Sequence, residues 1–239
     1  MEQALALTPF EAARTGADSL SRFDLLYLGS EFCQNLLPSA GDVVRLEKKS
    51  GKRVAVVTPF CNESGLASVE KMAAAVLRER PSLEVVANDM GVIAKLSAKW
   101  KQRVKISLGR VLVSGAAGKW FDLNIPSLQF LYANFPVCGV ETDSVRCLTP
   151  IRAARKINIS YHLPLRYLAF TRYCPFAREN TGRCGHKCED RFQLLKNPNL
   201  ACPHIIARNN AYFMPGEKPP LRNIDRIVLA GGKLSCSIG

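Results

Sequence analysis

The chain has 239 residues, 47% of them hydrophobic, and carries a formal net charge of +13 from 33 Lys and Arg against 20 Asp and Glu. That length supports one substantial core rather than two full domains. No apolar run nears the roughly 20 residues of a membrane span, and the start lacks the basic and apolar regions of a secretory signal, which points to the cytoplasm.

In chain order, Thr8-Pro9-Phe10-Glu11 reads as a capping box with proline in the first turn, opening a helix through about Ala17. Asp24 to Leu28 reads as the first strand, ending at Gly29-Ser30-Glu31-Phe32-Cys33. A helix over Asp42 to Ser50 precedes the second strand, Arg53 to Val57. A helix over Ser68 to Arg80, stopped by Pro81, precedes the third, Glu84 to Ala87. Gly91 to Trp100 is helical, Val104 to Ser107 is the fourth strand, and Arg110 to Val113 either extends it or forms its own. Helices over Pro126 to Ala133 and Leu148 to Lys156 flank a fifth strand, Val137 to Val140, and Ile157 to Tyr161 is the sixth. Short apolar strands alternating with helices argue for a parallel α/β sheet, barrel-like and TIM-type. About six units are visible, short of eight, which leaves room for an incomplete barrel. Beyond Asp190 the pattern breaks into turn signals. Residues 191–239 read as a strand-and-loop tail packed on a single domain spanning 1–239.

Nine cysteines in a reducing compartment point to ligand or core roles rather than disulfides, and an odd number cannot pair fully within one chain. Three fall between His162 and Asp190: Cys174, Cys184 and Cys188, separated by nine and then three residues, with Gly182 and Gly185 among them. The intervening residues are mostly polar, which suits a chelate loop better than a core strand. Three thiolates need a fourth partner for a tetrahedral zinc site or a cuboidal iron–sulfur cluster. Cys33 sits just past a strand end, where α/β folds place functional groups. Cys202, in Ala201-Cys-Pro-His204, closes a shorter loop at lower entropic cost. Zinc on Cys184, Cys188, Cys202 and His204 is the rival arrangement, although only one pair has close zinc-type spacing. Spacing alone leaves both sets open.

Asn88 and Asp89 end the third strand, where they suit either a polar substrate or a turn and helix cap. His162 suits a structural role or proton transfer near the cysteines. Cys61, Cys138, Cys147 and Cys236 read as core or incidental. No His-Glu-x-x-His pair, Gly-x-Ser-x-Gly elbow or P-loop is present. The positive excess suits RNA, anionic lipid or an acidic substrate, or simply a solvated surface. Nine basic against three acidic residues between Arg152 and Arg191 would also offset the negative charge of a thiolate-bound cluster.

Several of these stretches resemble a known family. DLLYLGSEFC (24–33), VVANDMG (85–91), YHLPLRYLAFTRYC (161–174) and Cys184-x-x-x-Cys188, in that order, are similar to the UbiV-like branch of the collagenase-like, U-type peptidase family. Two features depart from that branch: a shorter stretch between Cys174 and Cys184, and Val86 where an acidic residue is usual. The resemblance implies a barrel-like α/β fold and an oxygen-sensitive 4Fe-4S cluster bound by Cys33, Cys174, Cys184 and Cys188. It further implies anaerobic, oxygen-independent hydroxylation of a ubiquinone precursor beside a UbiU-like partner, with prephenate as oxygen donor. Other branches hydroxylate RNA bases, which is the alternative within the family; a zinc-stapled, non-catalytic binding module is the alternative outside it. Peptidase activity would rest on the family label alone.

Overall fold

A computed structural model of the chain describes residues 1–116, 125–154, 156–180, 184–189, 191–196 and 204–231. Its centre is a closed barrel of eight parallel strands. Seven come in succession: β1 (Glu2–Leu7), β2 (Leu25–Gly29), β3 (Arg53–Thr58), β4 (Leu83–Ala87), β5 (Val104–Leu108), β6 (Val137–Thr142) and β7 (Asn158–Leu163). Six further strands follow, β8 (Leu165–Phe170), β9 (Tyr173–Cys174), β10 (Glu179–Asn180), β11 (Phe192–Lys196), β12 (His204–Arg208) and β13 (Ala211–Pro215), before β14 (Arg226–Ala230). β14 inserts between β7 and β1 and closes the barrel: Arg226 pairs with Ser160 on one side and Glu2 on the other.

The barrel is therefore complete, and three expectations change. Asp24 to Leu28 marks the second strand, because Glu2–Leu7 precedes it in parallel pairing with β2. The tail beyond Asp190 does more than pack on the domain, because it supplies the eighth strand. A third change concerns Arg110 to Val113, which begins a helix rather than continuing β5.

The described helices are α1 (Pro9–Arg14), α2 (Ala17–Ser21), α3 (Ala40–Ser50), α4 (Glu63–Glu79), α5 (Met90–Trp100), α6 (Arg110–Ala116), α7 (Ile125–Asn134) and α8 (Val145–Ala154). Side-chain caps fix where several begin. Thr8 and Glu11 form the expected capping box on α1, and Ser39 and Asp42 form another on α3. Asn62 caps α4, which starts five residues earlier than its apolar pattern suggests. The main core lies between strands and helices, where Leu26, Val54, Val85, Ile106, Val140 and Ile159 pack outward against residues such as Val69, Ile93 and Leu148. Among the described residues no helix is long and apolar enough to cross a membrane.

At the C-terminal mouth of the barrel, β11, β12, β13 and β8 form a four-stranded antiparallel sheet in that order. Its inner face packs Leu165, Ile206, Ala211 and Phe213 against Phe32 from the loop after β2. That loop starts at Gly29, whose φ of +129° and approach to Val57 suit only glycine: a Cβ there would lie 2.3 Å from the Val57 carbonyl oxygen. This turn carries Ser30, Glu31, Phe32 and Cys33 across the mouth toward the added sheet.

Candidate metal centre

The four expected ligands arrive on three segments at the mouth. Cys33 follows the turn at Gly29, Cys174 ends β9, and Cys184 and Cys188 lie in the short stretch beyond β10. Cys33, Cys174 and Cys188 are buried and Cys184 is half-buried. Helix α1 holds the last stretch: Phe10 meets the His186 ring edge-on at 4.8 Å, and Arg14 pairs with Glu189.

The structure brings these four sulfurs within electrostatic reach of one another. The Cys33 thiol is pushed up to about 11, first by burial, then by Cys184 and Cys174, while backbone groups of Asn35 and Leu36 oppose the rise. The Cys188 thiol is pushed up to about 12, again first by burial, then by Cys174, Cys33 and Cys184. Backbone N–H groups also point at the sulfurs: Ala177 donates to Cys174 Sγ at 3.4 Å and His186 donates to Cys184 Sγ at 3.3 Å. Such N–H···S contacts stabilise thiolate ligands and tune cluster potentials. The donor set, all sulfur with amide support, fits an iron–sulfur cluster.

Among the described residues, no three or more His, Cys, Asp or Glu side chains are arranged to hold a single metal ion. The cysteines thus neighbour one another without converging as ligands of one zinc do, each about 2.3 Å from the metal. Cys202, the other candidate fourth ligand, and Cys236 lie outside the described residues. His204 is exposed at the start of β12.

Under the loop that leads to Cys33, a cavity of about 90 Å³ has Glu31, Phe32, Arg110, His162, Arg208 and Asn209 in its wall. Arg110 is buried and donates from Nε to Glu31 Oε2 at 2.8 Å and from Nη1 to Asp143 Oδ2 at 3.1 Å. Its guanidinium lies 5.6 Å from the centre of the Phe32 ring, which stacks on Tyr167. Asp143 Oδ2 also accepts the Tyr167 backbone N–H at 2.6 Å. Arg110 therefore joins the loop that bears Cys33 to the strand that leads toward Cys174.

Deeper inside, a polar network sits beside the apolar filling of the barrel, which includes Leu25, Ala55, Val86 and Val228. Tyr27 Oη donates to Glu141 Oε1 at 2.9 Å and receives Arg226 Nη1 at 2.6 Å. Glu141 Oε2 faces His162 Nε2 at 2.9 Å. Burial pushes the Glu141 carboxyl up to about 7 against the pull of Arg226. Burial, then Arg110, pushes the His162 imidazole down to about 3. Near neutral pH the histidine is uncharged and one proton serves the contact.

Of the remaining expectations, His162 does line the cavity, but Asn88 and Asp89 do not. Asn88 is fully buried, donating to the Thr58 carbonyl at 3.0 Å and accepting the Val111 N–H at 3.0 Å. Asp89 caps α5 by accepting Gly91 N–H at 2.7 Å and Val92 N–H at 3.2 Å. Both make the contacts of the turn-and-cap alternative. Cys147 is buried in the main core and Cys61 packs partly against it. Glu31, Arg110, Glu141, Tyr27 and Asn210 were not visible as site residues beforehand. The one available signal was a charge within an otherwise apolar strand, as at Glu141 in Gly-Val-Glu-Thr.

No family model and no curated protein matches the chain. Among solved structures, it is similar to a glycoside hydrolase family 18 N-acetylglucosaminidase from Paenibacillus barengoltzii at 8% identity and a TM-score of 0.42, covering 95% of this chain and 94% of that one. A likeness that distant carries no statement about activity here.

Proposed function

We propose that this protein is an iron–sulfur barrel in which Cys33, Cys174, Cys184 and Cys188 hold a 4Fe-4S cluster near a small cavity whose wall includes Glu31, Arg110 and His162. The observation that carries this reading is the gathering of an early cysteine and a late trio at one end of the barrel, where backbone N–H groups donate to the sulfurs of Cys174 and Cys184. When bound, such a cluster supplies electron transfer or polarises a ligand oxygen. The chain's own residues supply the surroundings. Phe32, adjacent to Cys33, forms part of the cavity wall, Arg110 holds the Glu31 carboxylate in place, and His162 with Glu141 keeps a proton at the barrel end of the cavity.

With the resemblance in its cysteine-bearing segments, this site supports a part in oxygen-independent hydroxylation. The reaction would most directly be that of a ubiquinone precursor, carried out beside a UbiU-like partner with prephenate as oxygen donor. Deleting the gene and measuring quinones in cells grown without oxygen tests this. Quinone loss, restored by the wild-type gene but not by one carrying Cys174→Ala, is the expected result. Unchanged quinones would remove the assignment.

A further inference from the structure

The turn between β12 and β13 places Asn209 in the left-handed region, with φ of 55°, and turns the next side chain, Asn210, inward. Asn210 is 2% exposed. Its Nδ2 donates to the Phe32 carbonyl and to the Thr171 carbonyl, each at 2.7 Å. The Thr171 N–H returns a bond to the Asn210 carbonyl at 2.9 Å. Phe32 adjoins Cys33, and Thr171 begins the turn into Cys174, where its Oγ1 accepts the Tyr173 N–H at 3.1 Å. One buried amide thus spans the two segments that carry the first two cysteines. Both acceptors are carbonyls, so only the nitrogen end of the amide can face them.

We propose that Asn210 is a positioning residue for the cysteine set: it fixes the spacing between the Cys33 loop and the Cys174 turn, and thereby makes the β12–β13 hairpin part of the apparatus that assembles the inorganic centre. This inference rests on the iron–sulfur reading above. Cys33 and Cys174 are 141 positions apart in sequence; Cys33 follows barrel strand β2, whereas Cys174 ends β9, which pairs only with β10 in a separate two-stranded sheet. Something must hold the two segments to one spacing before a centre can bridge them. Arg110 links the same segments by charge, at longer range through Asp143 and Tyr167. Asn210 links them directly through the backbone, one residue from one ligand and three from the other. Asparagine is long enough to reach both carbonyls and donates two N–H bonds without introducing a charge. Alanine removes both bonds. Aspartate keeps the shape but turns oxygen toward two carbonyl oxygens, which is repulsive.

The test compares wild type, Asn210→Ala, Asn210→Asp and Val76→Ala, the last a buried core change in α4 remote from the mouth, all purified without oxygen. Iron and acid-labile sulfide per chain and the rate of cluster loss in air are measured on the loaded proteins. Hydrogen exchange of the peptides covering 30–36 and 171–174 is measured on the metal-free proteins, and melting temperature on both. Loss of ligand-orienting contacts ordinarily weakens metal retention by about 10–100-fold. Both Asn210 variants are expected to lose the cluster about tenfold faster, and to exchange faster in both peptides together, at a melting temperature no lower than that of Val76→Ala. Wild-type cluster lifetime and exchange in the Asn210 variants would overturn the proposal. Equal cluster loss in Val76→Ala would overturn it too, by reducing the effect to stability. Wild-type protein without iron would overturn the iron–sulfur reading instead, and the exchange data on metal-free protein would still report whether the clamp exists.

Discussion

His162 Nε2 and Glu141 Oε2 stand 2.9 Å apart inside the barrel, and burial moves the two groups in opposite directions, the histidine down to about 3 and the carboxyl up to about 7. In the unfolded chain the same groups titrate near 6.5 and 4.3. Between about pH 4.3 and 6.5 both states therefore hold one proton on the pair, on Glu141 when folded and on His162 when unfolded, and the pair adds no slope to stability. His162→Gln leaves Glu141 alone. Its contribution is then fully present below about pH 4.3 and is lost as pH rises toward 7. Glu141→Gln leaves His162 alone, with its contribution present above about 6.5 and lost as pH falls toward 3. Urea denaturation from pH 4.5 to 6.5 is expected to give opposite slopes in the two variants, each at most about 1.4 kcal/mol per pH unit. Arg110, Glu31, Asp143 and Arg226 face the pair in all three proteins and supply a common background. Equal slopes in both variants would show that the pair does not share its proton in this way.

Arg110 is expected to be structural in a way that lysine cannot replace. Its fork reaches Glu31 and Asp143 together in a buried setting, and those carboxylates keep its guanidinium well above the ordinary range. Arg110→Ala leaves two buried carboxylates without their cation and is expected to cost about 3–5 kcal/mol by chemical denaturation. Arg110→Lys is expected to recover only a minor part, because an ammonium lacks the planar fork. Full recovery by lysine would show that charge alone matters at this position.

Two glycines are expected to respond with opposite signs. At Gly29 the positive φ and the 2.3 Å approach to the Val57 carbonyl oxygen exclude a Cβ, so Gly29→Ala is expected to destabilise by about 2–3 kcal/mol and to displace the Cys33 loop. At Gly41, in the first turn of α3, a Cβ meets only ordinary contacts at 3.7 Å and beyond, so Gly41→Ala is expected to stabilise by about 0.5–1 kcal/mol. Thermal melting of the two variants beside wild type is sufficient, and a tolerated alanine at position 29 would contradict the strained turn.

The alternation of strands and helices was legible because apolar runs and helix caps are local signals. Thr8 with Glu11 and Asp89 before α5 are examples. Two barrel strands were not. Glu2–Leu7 (EQALAL) is built of residues that favour helix, and only its pairing between β2 and β14 makes it a strand. Arg226–Ala230 follows a long irregular stretch and pairs with residues far earlier in the chain. Arg110-Val-Leu-Val113 has strand composition, yet it starts a helix because the chain has already left the barrel at Gly109. The cysteines could be singled out by residue type and spacing. Glu141, Arg226, Arg110 and Asn210 could not, because each has its role through partners between 21 and 224 positions away.

The central claim is that Cys33 shares an inorganic centre with Cys174, Cys184 and Cys188. It is tested most directly by iron and acid-labile sulfide analysis with spin-resonance spectra on protein prepared without oxygen, wild type beside Cys33→Ala and Cys202→Ala. Wild type and Cys202→Ala are expected to carry about four irons and four sulfides per chain, with Cys33→Ala losing both the metal and the signal. Zinc without iron in wild type, or a cluster that survives Cys33→Ala and disappears in Cys202→Ala, would contradict it.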